Sequence, residues 1–341
     1  MQCSTSTSRS QVDYLNMTHG SRAHFIASVV VTFNRLNQLK TTVVNSLAAG
    51  ADVLVVVNNA STDGTLEWLQ KQPDPRLVVL NLPVNIGGAG GFYEGFKYVA
   101  EQTRADWLVC YDDDAYPVLN ALEVFRGLTL PSLVAGVAAA VYLPDGRISE
   151  MNRPSRDPFA NVWSFTKLLL QRRSGFHVSD AEYEKSELVP IDFSSFVGCF
   201  LRVQVVREHL GLPRKELFIY ADDIMYTHGI NQCGMQHMFA PKVHFVHDCG
   251  TLHQQLDVYK PMWKVYYTYR NRVELFRQVA WVWVFYPIAV FKLITWLAKV
   301  RHYDDRAVYL RLTLRAWWDG MCRNFTSTHK EVMAMAATSA K

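Results

Sequence analysis

The 341-residue sequence contains no CxxC pair, although it has 6 cysteines. That absence excludes paired thiolates of the zinc-finger or thioredoxin kind, and isolated cysteines read as reduced thiols of an intracellular protein. No GxGxxG run follows a strand-like segment, which argues against a nicotinamide enzyme. The net charge is only +4, too weak to imply nucleic acid as a partner. The N-terminus lacks the apolar core of a signal peptide, and residues 1–22 are expected to form a flexible Ser/Thr-rich tail. There is no internal repeat. Apolar residues, by contrast, are plentiful: 49% hydrophobic and 13% aromatic. That is enough for the core of one large or two ordinary domains, and it excludes global disorder.

The apolar residues come in β-branched runs separated by helix-like segments. FIASVVVTF (25–33), DVLVVV (52–57), LVVL (77–80) and WLVCY (107–111) are too uniformly apolar for one-sided strands. Asn34 to Ala49 carries Leu36, Leu39, Val43, Val44 and Leu47 on one expected helical face. Strand-helix alternation with buried strands predicts an α/β fold, a mostly parallel sheet with helices on both faces. NIGGAGGF (85–92) is expected to be a glycine-rich loop. Further strands are expected at 133–143, 191–202 and 242–247. Residues 153–187 show no period and are expected to be a long loop. Ligands of such sheets bind beyond the carboxyl ends of the strands. There lie TFNR (32–35), NNASTDGT (58–65) and YDDDAYP (111–117).

Three adjacent aspartates at a strand end demand positive charge, since like charges raise one another's pKa. Side chains at i and i+2 share a side, so Asp112 and Asp114 face together and Asp113 faces elsewhere. Two carboxylates on one side suit a hard divalent cation. The spacing alone fits a solvated acidic turn equally well. Asp222 and Asp223, in FIYADDIMY, are either an acid–base pair or helix N-terminal acids favoured by the dipole. His237, His244, His247, Cys249 and His253 cluster late in the chain, without zinc-finger spacing.

TFNR, NNASTDGT, NIGGAGG and DDD, in that order over residues 25–275, resemble the family 2 glycosyltransferases. These are inverting sugar-nucleotide enzymes of the GT-A fold. The resemblance implies that Thr32, Phe33, Asn34, Arg35, Asn58, Asn59, Asn85, Gly87, Gly88, Gly90, Gly91 and Asp113 line the nucleotide donor. It implies Mn²⁺ or Mg²⁺ on Asp112, Asp114 and His247, with Asp223 as general base and Asp222 positioning the acceptor. NIGGAGGF, YDDDAYP and KPMWKVYYTYRNR (260–272) are similar to the bacterial galactofuranosyltransferase branch. That branch uses UDP-galactofuranose and builds on polyprenyl-diphosphate-linked envelope glycans. Rhamnosyltransferases share most of these motifs. A nucleotidyltransferase, or an inactive sugar-nucleotide-binding module, is the alternative from another class.

The expected division is a glycosyltransferase domain over 23–258, with nucleotide half 23–145 and acceptor half 146–258, followed by an aromatic, basic helical region over 259–341. Within it, VAWVWVFYPIAVFKLITWLA (279–298) holds one charge in 20 residues. It could lie at a membrane interface, pack as a core helix or span a bilayer. Its flanking cations, from Arg270 to Arg315, favour an anionic leaflet. A peripheral place on the cytoplasmic face of the bacterial inner membrane follows, with oligomer formation left open.

Overall fold

The computed structural model describes residues 24–249 and 258–337. The expected N-terminal tail and His253 lie outside the described residues. In chain order the strands are β1 (Ile26–Thr32), β2 (Val53–Asn58), β3 (Leu77–Asn81), β4 (Trp107–Asp112), β5 (Ala115–Pro117), β6 (Val134–Tyr142), β7 (Val189–Ile191), β8 (Cys199–Arg202) and β9 (Gln236–His247). They form one mixed sheet ordered β3-β2-β1-β4-β8-β6-β9-β5, with β7 beside β9. β1 to β4 pair in parallel, and every residue of β1 is buried, as continuous apolar runs require. Beyond β4 the sheet changes character: β8 is antiparallel to both β4 and β6, and β5 and β7 are antiparallel to β9. β6 and β9 pair in parallel, so the sheet is parallel from β1 to β4 and again between β6 and β9, with antiparallel strands inserted around them.

The main helices are α1 (Leu36–Ala48), α2 (Thr65–Gln70), α3 (Gly87–Gln102), α4 (Ala121–Arg126), α5 (Val162–Gln171), α6 (Asp222–Gln232), α7 (Trp263–Val279), α8 (Val282–Ala298), α9 (Arg306–Met321) and α10 (His329–Ala336). Three expectations are corrected here. The NIGGAGGF stretch is not a loop, because α3 begins at Gly87. A Cβ at Gly91 or Gly95 would collide with Val31 or Val29 of β1, so these glycines bring helix and sheet into close packing. Residues 153–187 are not one long loop either, since they contain α5. Phe165 and Leu168 of that helix are only half-buried and its other apolar residues are exposed, which explains why no buried stripe marks it. The strand expected over 191–202 is two short strands, with Gly198 at φ +70° between them.

Helices α7 to α10 build a separate aromatic core around Tyr266, Tyr269, Trp296 and Tyr309. α8 buries Val284, Phe285, Ala289 and Trp296 against it. The other side of α8 faces out, so it is not a fully enclosed core helix. With the turn that follows, Val282–His302 is long and apolar enough to cross a membrane by length and composition. Arg270, expected among the surface cations, is fully buried instead. It lies against the rings of Tyr266 and Tyr267.

Candidate active site

The end of β4 delivers the aspartates into a basin whose opposite wall is the end of β9. Ala115 of β5 pairs directly with His247 of β9, which brings the imidazole to the acidic run. One ligand atom from each of Asp112, Asp114 and His247 lies within 4.8 Å of the other two. The His247 Nε2 to Asp114 Oδ1 distance is 3.1 Å. On the other ring nitrogen, His247 Nδ1 is 2.8 Å from Asn152 Oδ1. Nδ1 is therefore the donor to Asn152, and Nε2 is directed at the carboxylates. This is how outer partners commonly orient a metal-ligating histidine. Two carboxylate oxygens and one imidazole nitrogen are a donor set for Mn²⁺ or Mg²⁺, with room for phosphate oxygens and water.

The positive charge that the aspartates require is Arg35. Its Nη1 lies 2.7 Å from Asp114 and 3.0 Å from Asp113. Asp113 does face elsewhere, and also accepts from Thr32 Oγ1 at 2.8 Å. Burial raises Asp112 to about 6, and the charge of Asp114 adds to the rise. Burial also opposes the charge on Asp114, but the hydrogen bond with His247 and the charges of His247 and Arg35 outweigh it. Its carboxyl is held below the usual range. Burial lowers His247, yet Asp114 and Asp112 together raise it.

The remaining donor-side residues are placed as follows. Phe33 is exposed by 41% beside the basin. Asn34, at φ +53°, accepts from Thr62 N and ties the first loop to the second. Asp63 accepts from Leu36 N at the start of α1 and from Thr65, so it acts as a turn and cap residue. The Asn58 amide bonds Asn81 and Ser61, and the Asn59 amide bonds Gly87 O and Ile86 N. Asn85 accepts from Gly87 N. A Cβ at Gly90 would collide with Ile86, and a Cβ at Gly88 would meet nothing within 4 Å.

The acidic pair opens α6. Three non-glycine residues just before it, Phe218, Tyr220 and Ala221, have positive φ. Such strain persists only where the surroundings over-determine it. Here they do. Asn271 Nδ2 lies 2.8–3.0 Å from the carbonyls of Leu217, Ile219 and Tyr220. Arg270 Nη2 donates to the carbonyls of Glu216 and Leu217. From the other side Ala89 N donates to Phe218 O, and Gly87, at φ +80°, leaves space that a Cβ would fill. Two motifs thus grip the strained loop: the glycines of α3 and the Arg270-Asn271 pair of α7. Asn271→Ala strands the Ile219 and Tyr220 carbonyls, while Leu217 O keeps Arg270, and an expected loss of about 2–4 kcal/mol follows. Chemical denaturation measures it, and faster amide exchange confined first to 216–221 is the accompanying sign.

Burial raises Asp223 to about 6, although the Ile224 N–H bonded to its carboxylate opposes the rise. Burial and the Asp223 charge raise Asp222 to about 8. Asp112 and Asp223 are close enough that the charge of Asp223 raises Asp112. Asp112, Asp114 and His247 line a cavity of about 1210 Å³, with Arg35, Arg153, Tyr220 and Lys264 in its walls. Asp222 lines a different cavity of about 340 Å³, with Arg214, Tyr226 and Gln278. Among the other late histidines, His237 is buried 3.3 Å from Ser194 Oγ, and His244 bonds Pro241 O. Sequence reasoning missed Asn152, Arg270 and Asn271 in these roles, and only the RN pair inside an aromatic helix could have signalled the last two.

Comparison with known proteins follows this geometry. Residues 28–186 match the family described as glycosyl transferase family 2. GalNAc-T7, solved with UDP, GalNAc and Mn²⁺, shares 14% identity at a TM-score of 0.53, over 76% of this chain and 48% of that chain. The mannosyltransferase PcManGT of Pyrobaculum calidifontis, solved with GDP-Man and Mn²⁺, shares 15% identity at a TM-score of 0.50, over 92% and 79%. TarS 1–349 of S. aureus shares 16% identity at a TM-score of 0.48, over 90% and 76%. No curated protein matches the sequence. What this chain shares with the GalNAc-T7 and PcManGT structures is the GT-A fold, and a C-terminal helical region accompanies it here.

Proposed function

We propose that this chain, a glycosyltransferase of GT-A fold with a family 2 domain over residues 28–186, transfers galactofuranose from UDP-galactofuranose with inversion. The acceptor is a polyprenyl-diphosphate-linked envelope glycan, and the enzyme works peripherally at the cytoplasmic face of the bacterial inner membrane. The observation that carries the reading is the convergence of Asp112, Asp114 and His247 on one cavity large enough for donor and acceptor. These three residues would hold Mn²⁺ or Mg²⁺, which supplies Lewis-acid stabilisation of the leaving diphosphate when bound. Thr32, Phe33, Asn34 and Arg35 line the nucleotide side. Asp223 takes the proton from the acceptor hydroxyl, whose oxygen attacks the anomeric carbon as the bond to UDP breaks. Asp222 is a positioning residue. The choice of galactofuranose rests on NIGGAGGF, YDDDAYP and KPMWKVYYTYRNR.

The test is UDP release with a panel of sugar nucleotides, Mn²⁺ and a polyprenyl-diphosphate glycan. UDP-galactofuranose is expected to be turned over fastest. Preference for dTDP-rhamnose would move the enzyme to the rhamnosyl branch, and absence of any sugar transfer would sink the reading. The pH profile adds a second check. A carboxylate accepts a proton only when ionised, so kcat at saturating Mn²⁺ should fall as pH drops through about 6, where Asp223 titrates. An acid limb near the ordinary aspartate range would remove Asp223 as base.

A further inference from the structure

Helix α5 has the sequence VWSFTKLLLQ and buries none of its side chains. Val162, Trp163, Leu169 and Leu170 are each 65–79% exposed. Phe165 and Leu168 hold the helix half-buried against the aromatic core, and the opposite apolar face stands uncovered among the described residues.

Three observations say what covers it. First, the exposed face continues onto α8. Phe165 on the inner side of α5 lies 5.6 Å from Trp281, ring to ring, and Trp281 stacks on Trp283 at 5.2 Å. Trp283 is 70% exposed and opens the outer side of α8, followed by Tyr286, Val290, Phe291 and Ile294. Second, both segments carry only positive charge. Residues 158–179 and 275–303 contain no Asp or Glu, yet hold Lys167, Arg172, Arg173, Lys299 and Arg301. Tryptophan and tyrosine over such a basic rim suit the headgroup region of an anionic bilayer. Third, Arg173, just past α5, lines the cavity that contains Asp112, Asp114 and His247. The turn that leaves α5 thus reaches that cavity from beside the apolar face.

We propose that α5 and the outer side of α8 form one lipid-binding surface, occupied by an anionic leaflet, and that α5 is a second anchor beside the one in the C-terminal region. The inference rests on the membrane-side reading above and adds the element that brings the cavity mouth to the leaflet. A lipid-linked acceptor would then enter across α5.

The test is co-sedimentation of the full chain with vesicles of phosphatidylglycerol mixed into phosphatidylcholine, against phosphatidylcholine alone. Three proteins are compared: the parent, Trp163→Glu/Leu170→Glu in α5, and Trp283→Glu/Phe291→Glu in α8. Each double variant should bind the anionic vesicles about tenfold less or weaker still, with unchanged circular dichroism and UDP-sugar hydrolysis. Parent-like binding by the α5 variant, with loss in the α8 variant, overturns the α5 anchor and leaves the C-terminal reading intact. No binding by the parent overturns both. A parent dimer that the α5 variant converts to monomer, without change in vesicle binding, assigns the face to a second copy and overturns the proposal. Quenching by brominated acyl chains is an independent measure: Trp163→Phe should remove part of the parent's quenching, and no change would also overturn the anchor.

Discussion

Asp223→Asn lowers kcat by about 10²–10⁴-fold, the range that general base catalysis contributes, and leaves donor binding nearly unchanged. Asparagine is nearly isosteric and can still accept from Ile224 N, so α6 keeps its first turn. What it cannot do is take the acceptor's proton. The donor and metal side is built from β1, β4 and β9, none of which the substitution touches. The donor KM is therefore expected to hold while kcat collapses. Asp222→Asn should behave differently, because that carboxylate lines the smaller cavity and is protonated more readily. Its effect is expected on the acceptor KM more than on kcat. Steady-state kinetics with donor and acceptor varied separately distinguishes the two. Full kcat in both variants would make the pair a helix-terminus feature and send the search for the base elsewhere.

Asp114→Ala is the second large effect. Asp114 is the centre of the cluster, bonded to His247 on one oxygen and Arg35 on the other. Its removal takes one oxygen from the proposed metal site and frees Arg35 to pair with Asp113 alone. Metal-assisted stabilisation of a leaving diphosphate is worth several kcal/mol, so turnover should fall by about 10³-fold or more. Asp112→Ala should do the same. Titration calorimetry with Mn²⁺ gives a readout that does not depend on catalysis, and the affinity should drop in both variants. Near-normal turnover of both at excess Mn²⁺ would dissociate the cluster from the chemistry.

The three residues singled out as metal ligands were legible because each ends an apolar run. Alternation along a strand fixes Asp112 and Asp114 to one side, and VHFVH places an imidazole at the end of another strand. The first four strands were legible for the same reason, as uninterrupted β-branched runs. Glycine misled: four glycines in five residues suggest a loop, yet they open α3, where Gly91 serves close approach to β1 and Gly87 to Phe218 O. Asn152 is invisible in sequence because it lies in an irregular segment and meets His247 across 95 positions. Arg270 and Asn271 sit in a basic, aromatic stretch that composition assigns to a surface. Their carbonyl partners lie more than 50 residues away, and no periodicity reports such a contact. α5 escaped because only Phe165 and Leu168 pack inward, too few to mark a stripe among its exposed apolar residues.

The pairing of Ala115 with His247 sets an order of events during synthesis. A ribosome elongates at about 5–20 residues per second, so the 133 positions between Asp114 and His247 correspond to roughly 7–27 s. Throughout that interval the nascent β1–β4 unit already carries its acidic run, and the imidazole that completes the cluster has not been made. Arg35 precedes Asp114 by 79 positions and leaves the exit tunnel first. It is the counter-charge that lets the amino-terminal half collapse around buried carboxylates before β9 exists. Arg35→Ala would then be felt earliest on the ribosome, as aggregation of an incomplete chain, and only afterwards at the finished enzyme.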